Sequence, residues 1–201
     1  MAKIIEIQES MDFSNKGINK NNIVETSSLI KNNSELNNLD ISSNKINDIG
    51  LKLILEAISN KAIDTLNLSN ITINSEGIKY LGKFLISNNT IKHLDLSNNK
   101  LTREKMKLLL DALTNDCKIV YLDLSENSLE DRGLDILIPT IIKNKSITTL
   151  DISYNNIGQA GLVRFVDALR KNKTIETLYI SGNDIDDFFV KEIAKAIQDK
   201  S

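Results

Sequence analysis

The sequence predicts an α/β solenoid, with one parallel sheet on its concave side and a layer of helices on its convex side. Three observations predict it. The segments LNNLDISSNKI, IDTLNLSNITI, IKHLDLSNNKL, IVYLDLSENSL, ITTLDISYNNI and IETLYISGNDI align without gaps. They start at Leu36, Ile63, Ile91, Ile119, Ile147 and Ile175, so the period is 27 residues once and 28 thereafter. After each segment the apolar spacing switches from every second residue to every third or fourth.

A step of 28 residues back from Leu36 reaches QESMDFSNKGI at Gln8, a degenerate first copy, so seven copies cover nearly the whole chain. Within a segment, positions 4 and 6 are apolar and positions 3 and 5 mostly polar, as Leu94 and Leu96 stand against His93 and Asp95. That alternation predicts a short strand with one buried face. Beyond the segment, Met106, Leu109 and Leu113, or Leu162, Phe165 and Leu169, mark one face of a helix. Asn47, Asn74, Thr102 and Asp186 stand where helices should start. Such a unit cannot bury its apolar face alone, but stacked units can. Strands pack about 4.8 Å apart and helices about 10 Å apart, so the helices must take the outside of the curve.

The LxxLxLSxNxI segments, the GLxxLxxAL-like helices and loops such as KNKT resemble the leucine-rich repeat family. The 28-residue period, and Gly50, Gly77, Gly133 and Gly161 at one early-helix position, are similar to its ribonuclease-inhibitor-like subclass. The resemblance covers about residues 8 to 200 and implies a right-handed α/β horseshoe arc of about seven repeats, one domain over 1–201. Residues 1–7 are expected to supply an apolar N-terminal cap. The family's ninth segment residue is usually an asparagine whose amide bonds loop backbone of neighbouring turns. Asn44, Asn99, Asn127, Asn155 and Asn183 match it; Lys16 and Ile71 depart. Ile71 therefore predicts a looser third repeat and a bend, near the one-residue deletion, unless Asn70 takes over the role. Pro139, the single proline, predicts a kinked or shortened helix in the fifth copy.

Composition bounds the function. Apolar residues make up 41% and charged residues 26%, with a net charge of −2, which fits a globular chain and predicts neither nucleic-acid nor membrane partners. One cysteine, Cys117, cannot form an internal disulfide and points to a reducing, cytoplasmic setting, including a host cytoplasm if the protein is a secreted effector. It falls in a loop position that is polar in the other copies, which predicts a partly exposed, passive thiol. The strand at Thr177 to Ile180 would be an open edge, offering a weak homodimer contact.

The candidate site lies on the strand face, which should present positions 3, 5, 7 and 8. Position 5 places Asp95, Asp123 and Asp151 on adjacent strands, about 5 Å apart. Mutual repulsion could raise a carboxyl pKa or invite a cation, but an acidic docking stripe for lysine and arginine is the stronger reading. The serine at position 7 in all seven copies reads as structural. Aromatic residues are only 4% of the chain, yet Tyr121, Tyr154 and Tyr179 occupy exposed positions, with His93 beside Tyr121 and Tyr179 beside Asp151. His93, Asp95 and a serine supply the residue types of a hydrolytic triad, but no elbow glycine or oxyanion donors accompany them. The expectation is a non-catalytic module without cofactor or metal. It would bind a protein on its concave face through His93, Asp95, Tyr121, Asp123, Asp151, Tyr154 and Tyr179. A bacterial effector is one version; a GTPase regulator and a structural assembly module are the alternatives.

Overall fold

A computed structural model of the chain describes residues 8–114 and 117–198; the expected cap at residues 1–7 lies outside these. Seven three-residue strands, β1 (Ser10–Asp12), β2 (Asn38–Asp40), β3 (Thr65–Asn67), β4 (His93–Asp95), β5 (Tyr121–Asp123), β6 (Thr149–Asp151) and β7 (Thr177–Tyr179), form one parallel sheet in sequence order. The helices between and after them are α1 (Ile23–Asn32), α2 (Asp48–Ala57), α3 (Ser75–Ser87), α4 (Arg103–Lys107), α5 (Glu130–Lys143), α6 (Gln159–Lys171) and α7 (Asp187–Gln198).

The register is the one the sequence alignment dictates. Leu66 pairs with Leu94, Leu94 with Leu122, and Leu122 with Leu150. These leucines and the second column, Leu68, Leu96, Leu124 and Ile152, are fully buried. The helix residues Met106, Leu109, Leu113, Leu162, Phe165 and Leu169 close the core from the other side. The core opens at the two ends of the sheet, where Met11 and Phe13 of the first coil and Leu178, Ile180 and Ile185 of the last are partly buried.

The turn after each strand shows why the segments are spelled as they are. The residue at position 8 has a left-handed backbone in every coil: Asn15, Ser43, Asn70, Asn98, Glu126, Tyr154 and Gly182. Five of these are Asn, Ser or Gly, types that tolerate this conformation. Position 5 holds the turn from the other side: Asp40, Asp95, Asp123 and Asp151 each accept the amide of the serine two residues on, at 2.8 Å. Asn67 does the same for Ser69 at 2.9 Å. The serines are thus structural through their backbone as well as their size.

The position-9 asparagines form the expected ladder, with each one serving the coil before its own. Asn127 accepts the amides of Asn99 and Leu101, both at 2.9 Å, and donates to the carbonyls of Leu96, Leu124 and Ser125. The gap at Ile71 consequently falls on the second coil and not on the third, a correction to the sequence reading. The third coil is served by Asn99, which accepts from Ile71 and Ile73. Among the described residues, the amides of Asn44 and Ile46 find no acceptor. Asn70 does not substitute; its amide donates to the Ser43 hydroxyl at 3.2 Å. Ile71 itself is core, 2% exposed.

A second asparagine ladder, unread in the sequence, runs along the helix-to-strand loops. Asn144 and Asn172 cap α5 and α6, accept two amides of the next strand's approach, and donate to the Leu113 and Ile141 carbonyls of the preceding coil. The recurring NKS and NKT spellings carried that signal.

Two helix expectations are corrected. Helix α5 runs 14 residues, the longest among the described residues, so Pro139 inside it does not shorten it. Pro139 is exposed, so the hydrogen bond it removes lies on the solvent side, where water can replace it. The broken helix is in the fourth copy: α4 stops at five residues and resumes as a 3₁₀ turn over Leu110–Leu113. There the Leu108 carbonyl approaches α3 so closely that a Cβ on Gly82 would stand 3.0 Å from it. The helix-start residues are placed as expected, but only the side chains of Asn47 and Asp186 accept a helix amide, from Gly50 and Phe189; Asn74 and Thr102 accept one through their backbone carbonyls alone.

Candidate functional site

The concave face is the outward side of the strands, and each strand is too short to carry more than positions 3 and 5 there. Position 8 lies beyond the strand, at the rim. Tyr154 accordingly stands apart from the centre. It is 61% exposed, left-handed, and its ring packs against Gly182 of the next coil. A Cβ on Gly182 would meet its ring at 2.3 Å, so a glycine there is required by both space and φ.

The sheet register brings His93, Tyr121, Asp95 and Asp123 together on β4 and β5. The His93 and Tyr121 rings are neighbours as expected, centroids 6.3 Å apart and tilted by 39°. The Tyr121 hydroxyl donates to Asp123 Oδ2 at 3.3 Å. These two rings, with Thr65, Leu66, Asn67 and Asp95, wall an open concavity of about 440 Å³. On its outer side Asp64 pairs with Lys92 at 2.6 Å and with His93 Nδ1 at 3.3 Å. His93 is therefore partnered with Asp64 and not with Asp95, which removes the triad geometry. Asp151 follows on β6, and Tyr179, 50% exposed, is in register with it on β7.

The electrostatics follow from this packing. Burial raises the Asp95 carboxyl pKa, with Asp123 and Asp40 adding repulsion and the Ser97 hydrogen bonds opposing it. Desolvation is thus the leading cause, ahead of the mutual repulsion that the sequence suggested. Tyr121 is pushed up to about 12, first by burial and then by the charge and hydrogen bond of Asp123. The Lys92 ammonium lowers Asp64. Among the described residues no group of three or more His, Cys, Asp or Glu side chains converges closely enough to hold a metal ion. No described helix is long and apolar enough to cross a membrane. Cys117 is half-buried, its sulfur 3.4 Å from the Ser146 hydroxyl.

The profile of the PRAME C-terminal domain family matches residues 2–185. The chain belongs to the PRAME C-terminal domain family. That family is of leucine-rich-repeat type, in keeping with the coils described above. The matched residues run through all seven strands of this PRAME-type domain and end just before α7. No curated protein matches the sequence. Among solved structures, actin-binding site 2 of leiomodin-1 superposes with a TM-score of 0.57 at 16% identity, covering 88% of this chain and 87% of that one. The tropomodulin C-terminal domain of Caenorhabditis elegans gives 0.56 at 13% identity, covering 88% and 92%. The leucine-rich-repeat protein LegL7 of Legionella pneumophila gives 0.54 at 19% identity, covering 94% and 71%. At these identities the likeness is one of fold.

Proposed function

We propose that this PRAME-type domain is a non-catalytic module that holds a protein partner on its concave face. Its centre would be His93, Asp95, Tyr121 and Asp123, with Asp151 and Tyr179 extending it and Tyr154 at the rim. The observation that carries the reading is the placement of the aromatic rings. In a chain only 4% aromatic, His93, Tyr121 and Tyr179 stand on a sheet face that none of the described residues covers. Half-exposed tyrosines beside carboxylates are the residue types on which interfaces concentrate their binding energy. One fold neighbour, leiomodin-1, is solved as an actin-binding site, which gives an instance of this architecture engaging a protein.

The test is affinity capture or proximity labelling with wild type beside the variant Tyr121→Ala/Tyr154→Ala/Tyr179→Ala, each checked for folding by circular dichroism. The reading expects the wild-type partner set to be lost from the variant. An unchanged partner set would move binding to the helices or the ends. Because Tyr154 stands apart, Tyr154→Ala alone should weaken capture less than Tyr121→Ala.

A further inference from the structure

Charge is distributed unevenly across the solenoid, and the inference drawn from it rests on the concave-face reading above. Over seven coils, positions 3 and 5 of the strand face hold Asp12, Asp40, Asp95, Asp123 and Asp151, the rim at position 8 adds Glu126, and positions 3, 5, 7 and 8 hold not one lysine or arginine. The whole chain has 25 Lys and Arg against 27 Asp and Glu, so the remaining surface carries the cations. A nearly neutral protein thus gathers carboxylates, with no lysine or arginine, at these positions, and Lys92 beside them is already paired with Asp64. Turn chemistry does not require this. Asn67 closes its turn as well as the aspartates do, and Tyr179 occupies the same position without a carboxylate. The charge is therefore separable from the fold. Beside it stands the independent feature of the concavity walled by Tyr121, His93 and Leu66, which opens directly onto Asp95. An aromatic wall next to a carboxylate suits a side chain with an apolar stem and a cationic head.

We propose that the partner presents a basic segment to this face. One arginine or lysine would lie along the Tyr121 ring in the concavity, and its neighbours would pair with Asp95, Asp123 and Asp151. The arginine fork matches carboxylates spaced by about 4.8 Å along the sheet, so arginine should be preferred over lysine.

The test measures fluorescence anisotropy of a labelled ten-residue peptide of alternating glycine and arginine, in low salt, against a peptide of alternating glycine and glutamate. Two variants with the same charge change separate the faces. Asp95→Asn/Asp123→Asn/Asp151→Asn alters the concave side and keeps the turns, as Asn67 shows. Glu25→Gln/Glu56→Gln/Asp167→Asn alters exposed helix residues. The expected result is binding of the arginine peptide only. The concave variant should weaken it by about tenfold, with a shallower salt dependence, and the helix variant by less than about twofold. Equal loss in both variants, or no arginine-peptide binding by wild type, overturns the basic-partner inference. The concave-face reading would then still be decided by the tyrosine variant, which leaves the charge untouched.

Discussion

Removing one rung of the first asparagine ladder should cost more than its single side chain suggests. In Asn127→Ala the side chain that accepts the Asn99 and Leu101 amides disappears, together with its bonds to the Leu96, Leu124 and Ser125 carbonyls. Asn99 is fully buried and so is Leu101. Each stranded amide costs about 1–3 kcal/mol, and partial entry of water would lower the total, so a loss of about 2–5 kcal/mol is expected. For a chain of this size that is a fall of roughly 5–15 °C in Tm. Repeat arrays need not unfold in one step, so the global measurement should be paired with hydrogen exchange read residue by residue. The Asn99 and Leu101 amides should lose protection first, in the coil before the mutated one. A loss below about 1 kcal/mol, or deprotection confined to the fifth coil, would refute the backward-serving ladder. The reverse experiment already has its background in the chain. Ile71→Asn offers an acceptor to the Asn44 and Ile46 amides but gives up a buried isoleucine worth about 1.5–3 kcal/mol. Stability should stay within about 1 kcal/mol of wild type while exchange at Asn44 and Ile46 slows.

Gly161→Ala places a Cβ 2.6 Å from Asp131 Oδ1, the atom that accepts the Gly158 amide, and should cost about 1–3 kcal/mol in urea unfolding. Tyr121, at about 12, should ionise above an ordinary tyrosine; ultraviolet difference titration against Tyr121→Phe should show this, and Asp123→Asn should bring the value back toward 10. Asp64 and Asp95 should shift stability with pH in opposite senses. The lowered Asp64 value contributes stability present above the unfolded-chain pKa near 3.8 and lost as pH falls through the lower folded value. The raised Asp95 value is a penalty at neutral pH that fades as pH falls toward and below the folded value, so Asp95→Asn should be more stable than wild type at pH 7 and lose that advantage in acid. Unfolding curves from about pH 2 to pH 7 on Asp64→Asn and Asp95→Asn beside wild type would check the two signs.

The fold was legible because its physics is local and repeated. The Leu39 to Leu178 column and the strand register follow from one periodicity, and a slip of one residue would turn every leucine to solvent. The left-handed turn explains the polar letters at position 8, and the Asp–Ser spacing explains position 7. The neighbour relations His93–Tyr121 and Asp151–Tyr179 needed nothing beyond the period. What failed in the sequence reading failed for reasons of direction. A side chain's type does not say which coil it serves, so the gap at Ile71 was assigned one coil too late. Pro139 looked disruptive because sequence alone does not show which side of a helix faces water.

The sequence by itself determined the architecture, since modules that cannot bury their apolar faces alone have one way to stack. It also determined which residue types share the concave side. Only the tertiary structure decided how those residues stand to one another. It parted Tyr154 from the centre, because the rim turn carries it past the strand end onto Gly182. It paired His93 with Asp64 and buried Asp95 enough to change its acidity. Those outcomes depend on distances across coils and on exclusion of water, and neither is written in a period.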